Sequence, residues 1–225
     1  MNITIQTKAL KAAMYCVGTD DARLALNYVH IRFPTDHTTA SAAYCIVEAT
    51  NGHSAFVCRA ASFAGSMGEY RGQELLLEQA SLRKALSKYR KPLVTVATSA
   101  IGEMNRAYVG GVGNISGVAN VATVETLKTQ YPNIGSVVPD TYDGISGFFD
   151  PEVVIQAKNA IAVWNEERVK GFSEFKVALN EPNRKTHALS MMRGDDPDGF
   201  AIFMPRHHGD KGAATNLIDP NRFFD

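Results

Sequence analysis

Ala49-Thr50-Asn51-Gly52-His53-Ser54-Ala55 lies between two apolar runs, Tyr44–Ala49 and Phe56–Ser62. Asn-Gly between such runs signals a tight turn, because both residues tolerate the positive φ that a short hairpin requires. The stretch therefore predicts strand, turn, strand. Toward the N-terminus, Ala25–Phe33 has the composition of another strand, and residues 2–5 alternate as a short one. Between these two, Leu10, Ala13, Met14 and Val17 recur at i, i+3, i+4 and i+7. That spacing predicts a helix capped by Thr7 and running to about Val17, with Lys8 and Lys11 off the apolar stripe.

Toward the C-terminus the same order returns. Residues 63–72 are small and glycine-rich, Glu74–Glu78 is strand-like, and Leu82, Ala85, Leu86 and Tyr89 form a second helical stripe over about Ala80–Tyr89. Pro92 is expected to stop that helix. Lys84, Lys88 and Lys91 make a separate row with Arg83 and Arg90 beside it, so that Glu78–Lys91 holds five basic residues and one acid. A solvated helix face and a phosphate-facing helix both fit such a row. Strands are expected at Leu93–Thr98, Arg106–Val112 and Ile115–Val121, and Tyr131–Pro139, with two prolines and a glycine, reads as an extended linker. Residues 1–138 thus read as strand, helix and strands, twice over, a repeat of pattern and not of identity.

A third unit follows in part. Ile145–Phe149 is strand-like, and Asp150-Pro151-Glu152 combines an N-cap, a first-turn proline and a first-turn acid. Val154, Ala157, Ile161 and Trp164 make the buried stripe of this helix. Phe175–Leu179, Thr186–Met192 and Phe200–Met204 are expected strands, and the residues after Arg206 read as a loose tail.

Composition narrows the function classes. Of 225 residues, 45% are apolar and 20% charged, and 23 basic residues balance 23 acidic ones. Any nucleic-acid contact must then come from a local basic face. Cys16, Cys45 and Cys58 form no C-x-x-C pair, which points to reduced thiols. With no apolar leader and no run long enough to span a bilayer, a soluble, cytoplasmic protein is expected.

Catalytic signatures are missing: no G-x-S-x-G, P-loop, placed G-x-G-x-x-G or H-E-x-x-H occurs. Gly110-Gly111-Val112-Gly113 lacks the Lys-Ser/Thr ending of a phosphate loop and reads as a turn. Asp195-Asp196-Pro197-Asp198-Gly199 lacks the closing Glu of a calcium loop. His207-His208 with Asp210 reads as surface, and Cys58 near His53 has no third group to orient a nucleophile. The expectation is no catalytic residue, no metal, no cofactor and no enzyme activity.

Three fragments carry a resemblance. Ala49–Ala55 resembles the Ala-Thr-Asp-Gly-His-Arg-Leu turn in the middle domain of bacterial sliding clamps, the beta subunit of DNA polymerase III. Tyr131-Pro132-Asn133-Ile134-Gly135-Ser136-Val137-Val138-Pro139 is similar to that family's interdomain segment. Gly199-Phe200-Ala201-Ile202-Phe203-Met204-Pro205-Arg206 is similar to its last strand, typically apolar-apolar-Met-Pro. Asn51, Ser54 and Ala55 depart from the family pattern.

The resemblance implies an α+β fold of repeated β-α-β-β-β units, with helices lining an inner face and sheets outside. It implies a non-enzymatic processivity factor that encircles duplex DNA without sequence preference, as a homo-oligomeric ring. On this reading Lys8, Lys11, Arg83, Lys84, Lys88, Lys91 and Lys158 face DNA. Thr50, Gly52, His53, Pro139, Ile202, Met204 and Pro205 form a pocket for short hydrophobic motifs of a polymerase, clamp loader or repair protein. The chain is shorter than the usual three domains, so residues 1–139 are expected as one complete unit, 140–206 as a shortened second and 207–225 as a tail. A clamp-fold interaction module that does not encircle DNA is the alternative.

Overall fold

A computed structural model describes residues 1–20, 22–34, 44–63, 70–87, 89–98, 106–111, 121–137, 150–165, 175–178, 189–193 and 198–203. The described strands are β1 (Asn2–Gln6), β2 (Tyr28–Arg32), β3 (Tyr44–Thr50), β4 (Ser54–Phe63), β5 (Glu74–Glu78), β6 (Leu93–Thr98), β7 (Arg106–Gly110), β8 (Ala122–Leu127), β9 (Phe175–Ala178), β10 (Leu189–Arg193) and β11 (Gly199–Phe203). The helices are α1 (Thr7–Ala13), α2 (Gln79–Leu86) and α3 (Pro151–Trp164). In chain order β1-α1-β2-β3-β4 is followed by β5-α2-β6-β7-β8, the β-α-β-β-β unit repeated, and then by α3-β9-β10-β11.

All described strand pairs are antiparallel, in the order β1-β6-β7-β8-β5-β2-β3-β4-β11-β10-β9. β4 is the junction. One edge pairs with β3 along Tyr44–Thr50, while its other edge divides between two partners. Residues 54–58 pair with β11, and Ser62 and Phe63 pair with β1, which closes the first eight strands on themselves. A ten-residue strand is long enough to serve both neighbours.

Period-two alternation gives this sheet two distinct faces. Phe56 and Cys58 of β4, Ala201 and Phe203 of β11, and Leu75 and Leu77 of β5 belong to the main core under the helices. Their immediate neighbours Ala55, Ile202 and Leu76 belong to a second cluster with Tyr131 and Ile134, on the opposite face. The helices cover only the first face. α1 lies in the middle: α3 packs beside it through Ala157 and Ala160 against a helix rich in buried alanines, and Gln79 Nε2 of α2 donates to the Met14 carbonyl on the other side at 2.9 Å. Small side chains allow such close helix neighbours.

Several boundaries differ from the sequence reading. Thr7 is the first residue of α1 and not its cap; its N–H donates to the Pro92 carbonyl at 2.8 Å, a long-range contact no local pattern announces. α2 ends at Leu86, well before Pro92, and just past it the Ser87 hydroxyl donates to the Lys84 carbonyl at 2.9 Å. Lys84 lies on α2 and Lys91 lies beyond its end, while Lys88 lies outside the described residues. Leu24–Asn27 forms a 3-10 turn and not the start of a strand, since the Leu26 N–H donates to Arg23 O. The strand expected at Ile115–Val121 falls almost wholly outside the described residues; β8 follows it, with Val124 buried between exposed Thr123 and Glu125. Residues 145–149 and the tail lie outside the described residues. α3 forms as expected, with Asp150 Oδ1 accepting from the Glu152 N–H at 3.0 Å.

Candidate peptide pocket and basic helix face

The Asn51-Gly52 turn builds its own floor. Asn51 Oδ1 accepts the N–H groups of His53 (2.8 Å) and Ser54 (2.7 Å), an Asx-turn. Thr50 Oγ1 donates to the Ser54 carbonyl at 2.8 Å and accepts from the Gly52 N–H at 3.0 Å. Gly52 has φ +88°, where a Cβ would strain the backbone and approach Arg23 Nη1 at 3.0 Å. The same turn is tied to the helix layer: Asn51 Nδ2 and the Ser54 hydroxyl both donate to Gln156 Oε1 of α3. The donor on Asn51 is what an aspartate at that position would lack.

Tyr131 fixes the segment above. It is buried, its hydroxyl accepts the Thr50 N–H at 3.0 Å, and its ring lies 4.6 Å from that of His30. Burial pushes its phenol well above the ordinary tyrosine range, so the hydroxyl stays protonated. Beneath it, His30 Nδ1 meets Glu48 Oε1 at 2.9 Å and Nε2 meets Glu74 Oε2 at 3.0 Å, while Arg32 Nε donates to Glu48 Oε1 at 3.2 Å. Tyr131, at the start of the expected linker, thus lies over the buried His30–Glu48 pair, and Ile134–Val137 form a 3-10 turn where an extended segment was expected.

A cavity of about 270 Å³ opens between the Asn51-Gly52 turn, the Pro132–Ile134 segment and the Leu24–Asn27 3-10 turn. Thr50, Gly52, His53 and Ile202, from the sequence prediction, line it together. Pro139, Met204 and Pro205 lie outside the described residues. The structure adds Arg23, Ala25, Leu26, Ser54, Ala55 and Pro132–Ile134. Most of the wall is apolar or uncharged. Arg23 supplies charge at the rim, where its Nε donates to Asp20 Oδ2 at 2.7 Å and holds that carboxyl below its usual range. Such a site admits apolar side chains and offers cationic and backbone groups at its mouth. Cys16 belongs to the helix-side core, and burial pushes its thiol up to about 12, so it is not a nucleophile at neutral pH.

The basic residues stand on the opposite side of the sheet. Arg83 and Lys84 of α2, Arg90 and Lys91 after it, and Lys158 of α3 are exposed, and none pairs with a carboxylate among the described residues. Lys11, Arg83 and Arg90 flank a groove of about 410 Å³ between α1 and α2, together with Met14, Tyr15 and Val163. Lys11 and Lys8 are only half-exposed: Lys11 Nζ donates to the Tyr89 carbonyl at 3.0 Å, and Lys8 Nζ lies 4.4 Å above the Trp164 ring. Lys88 lies outside the described residues. No group of metal-ligating side chains occurs among the described residues, and no helix among them is long and apolar enough to cross a membrane.

The arrangement of strands and helices, with the β-α-β-β-β unit repeated, is matched among solved structures. The DNA polymerase sliding clamp of Bacillus subtilis superposes with a TM-score of 0.64 at 13% identity, over 93% of this chain and 65% of that one. The fold is that of a bacterial sliding clamp. DNA polymerase III subunit beta of Borrelia burgdorferi gives 0.61 at 13% identity with the same coverages. The Helicobacter pylori beta clamp bound to a DNA ligase peptide gives 0.62 at 10%, over 91% of this chain and 65% of that one. The chain spans about 65%, just under two thirds, of the clamps it matches. No protein-family model matches the sequence, and no curated protein matches it.

Within the clamp fold, two contributors were missed at the sequence level. Arg23–Leu26 carry a strand-like composition, yet the Asp20–Asn27 loop turns them toward the pocket: Asp20 N–H donates to Asn27 Oδ1 and Asn27 Nδ2 to Asp20 O. The Asp20/Asn27 spacing was the available signal. Tyr131 was legible only as an aromatic before a proline.

Proposed function

We propose that this chain is a sliding-clamp-like processivity factor, without enzymatic activity, that encircles duplex DNA as a ring of several copies. The observation that carries the reading is the division of labour between the two faces of one sheet. Exposed cations that pair with no carboxylate among the described residues occupy the helix face, and an apolar pocket occupies the other. Cations on a helix face neutralise phosphates without reading bases, and enclosure retains DNA while screened attraction leaves the ring free to slide. Lys8, Lys11, Arg83, Lys84, Lys88, Lys91 and Lys158, with Arg90, are the DNA-facing set in this proposal. The pocket around Thr50, Gly52, His53 and Ile202, extended by Pro139, Met204 and Pro205, docks a short hydrophobic motif of a polymerase, loader or repair protein. Residues 1–139 form one complete unit, 140–206 a shortened second and 207–225 a tail.

The deciding experiment loads the protein on nicked circular DNA at moderate salt and then cuts the circle. Retention before the cut and loss after it is the expected result; equal loss from both forms refutes encirclement. The pocket is tested separately with a DNA ligase peptide, the kind of ligand named for the H. pylori clamp. A clamp-fold module that binds peptides without encircling DNA is the second reading, favoured by the balanced charge of the chain. Light scattering separates the two, since a monomer with three helices cannot close a ring.

A further inference from the structure

Several features of the molecule lie outside the function just proposed, and the strongest joins the pocket to the end of β11. Ile202 lines the cavity, and the next residue, Phe203, pairs with Ser54, which lines it too. The chain therefore leaves its last described strand at the pocket. Leu217-Ile218-Asp219 and Phe223-Phe224-Asp225 follow in sequence, each an apolar pair followed by an acid. From these observations we infer that residues 217–225 of the same chain occupy the pocket and compete with partner peptides. The inference rests on the pocket reading above.

Three physical arguments support that occupant. Reach is sufficient: the thirteen residues between Phe203 and Leu217 span up to roughly 45 Å when extended, far more than the width of the cavity. Chemistry is complementary: Ala25, Leu26, Ala55, Ile134 and Ile202 take apolar side chains, while the rim offers the exposed His53 and the N–H groups of Arg23 other than the Nε–H that holds Asp20. Asp219 and Asp225 supply acceptors for those donors. Tethering does the rest. A segment held on a short linker has an effective concentration of about 1 mM, so an intrinsic dissociation constant of about 0.1 mM leaves it bound roughly nine-tenths of the time. An external peptide then binds about tenfold more weakly than it would to an empty pocket. A ligand must exceed that threshold to displace the segment, which selects for strong or multivalent partners.

The test compares the full chain with a full-length variant carrying Leu217→Ser, Ile218→Ser, Phe223→Ser and Phe224→Ser. The DNA ligase peptide is the probe, read by fluorescence anisotropy. The variant is expected to bind the probe about tenfold more tightly than the unaltered chain. A synthetic peptide of residues 214–225 is expected to displace the probe from the variant, and Ala25→Arg is expected to abolish binding of both. Equal probe affinity for the two proteins, or failure of the 214–225 peptide to compete, overturns the inference and leaves the pocket standing. A probe that binds neither protein removes the pocket reading and this inference with it. A difference that vanishes on dilution assigns the segment to a second copy and overturns occupation by the same chain.

Discussion

Gly199→Ala is a small change with a calculable cost. Gly199 opens β11, held in register opposite Cys58 of β4. A Cβ built there would stand 2.5 Å from Trp164 Nε1, 2.8 Å from Cδ1 and 3.0 Å from Cε2. Comfortable heavy-atom separations are about 3.5–4.0 Å, so the indole must retreat by about 1 Å. It has little room. Trp164 is 2% exposed, its ring lies 6.3 Å from that of Phe56, and Lys8 Nζ sits over it at 4.4 Å. The indole is rigid, and β11 is paired on both edges, so neither side yields cheaply. Overpacking of this kind costs about 1–3 kcal/mol, offset by about 0.5–1 kcal/mol from the less flexible unfolded chain. The expected net loss is about 1–2 kcal/mol, or about 0.5 M in a urea midpoint for a protein of this size. Trp164 is the only tryptophan in the sequence, so its emission reports the displacement directly. Because the indole N–H has no hydrogen-bond partner among the described residues, Trp164→Phe relieves the clash without breaking a described bond. The double variant, followed by circular dichroism, should recover part of what Gly199→Ala loses. An unchanged midpoint together with unchanged emission would show that the ring does not rest on Gly199, and the packing of α3 on β11 would need to be redrawn.

Three further outcomes follow from the geometry. His30→Ala removes the imidazole joining Glu48 to Glu74 and leaves a carboxylate that is 6% exposed with Arg32 alone, so a loss of about 3 kcal/mol is expected in urea unfolding; a loss under about 0.5 kcal/mol contradicts the bridge. Ala25→Arg fills the pocket mouth from a half-buried position, and titration with the ligase peptide should show about a tenfold or greater loss while thermal stability stays within about 0.5 kcal/mol. Retained affinity would locate peptide binding elsewhere. Arg83→Glu with Lys84→Glu changes two exposed residues off the buried Leu82–Leu86 stripe, so folding should hold while the slope of log affinity for duplex DNA against log salt falls by about 1 per lost phosphate contact. Identical slopes would mean that this helix face does not meet DNA.

The two faces differ in how far they were readable in advance. Asp150-Pro151-Glu152 announced α3 because a cap, a first-turn proline and a first-turn acid act locally. α1 and α2 were announced by apolar spacing, but the first N–H of α1 meets a group from far along the chain, the Pro92 carbonyl, and α2 stops at Leu86, short of the proline expected to end it. α2 stops at Leu86, so helical phase by itself does not place Arg90 and Lys91 beside Lys84. For the pocket, Thr50, Gly52, His53 and Ile202 came from motif likeness, whereas Arg23, Ala25 and Leu26 required the closed Asp20–Asn27 loop.

The sequence alone determined the alternation, the turn at Asn51-Gly52, the existence of three helices and the twice-repeated order of elements, because each depends on neighbours within a few residues. Tertiary structure decided which strands close on which, that β4 serves both β1 and β11, and that Tyr131 straps over His30. Those depend on pairings between distant segments, whose free energy appears only when the sheet has formed and its two faces have been covered by different parts of the chain.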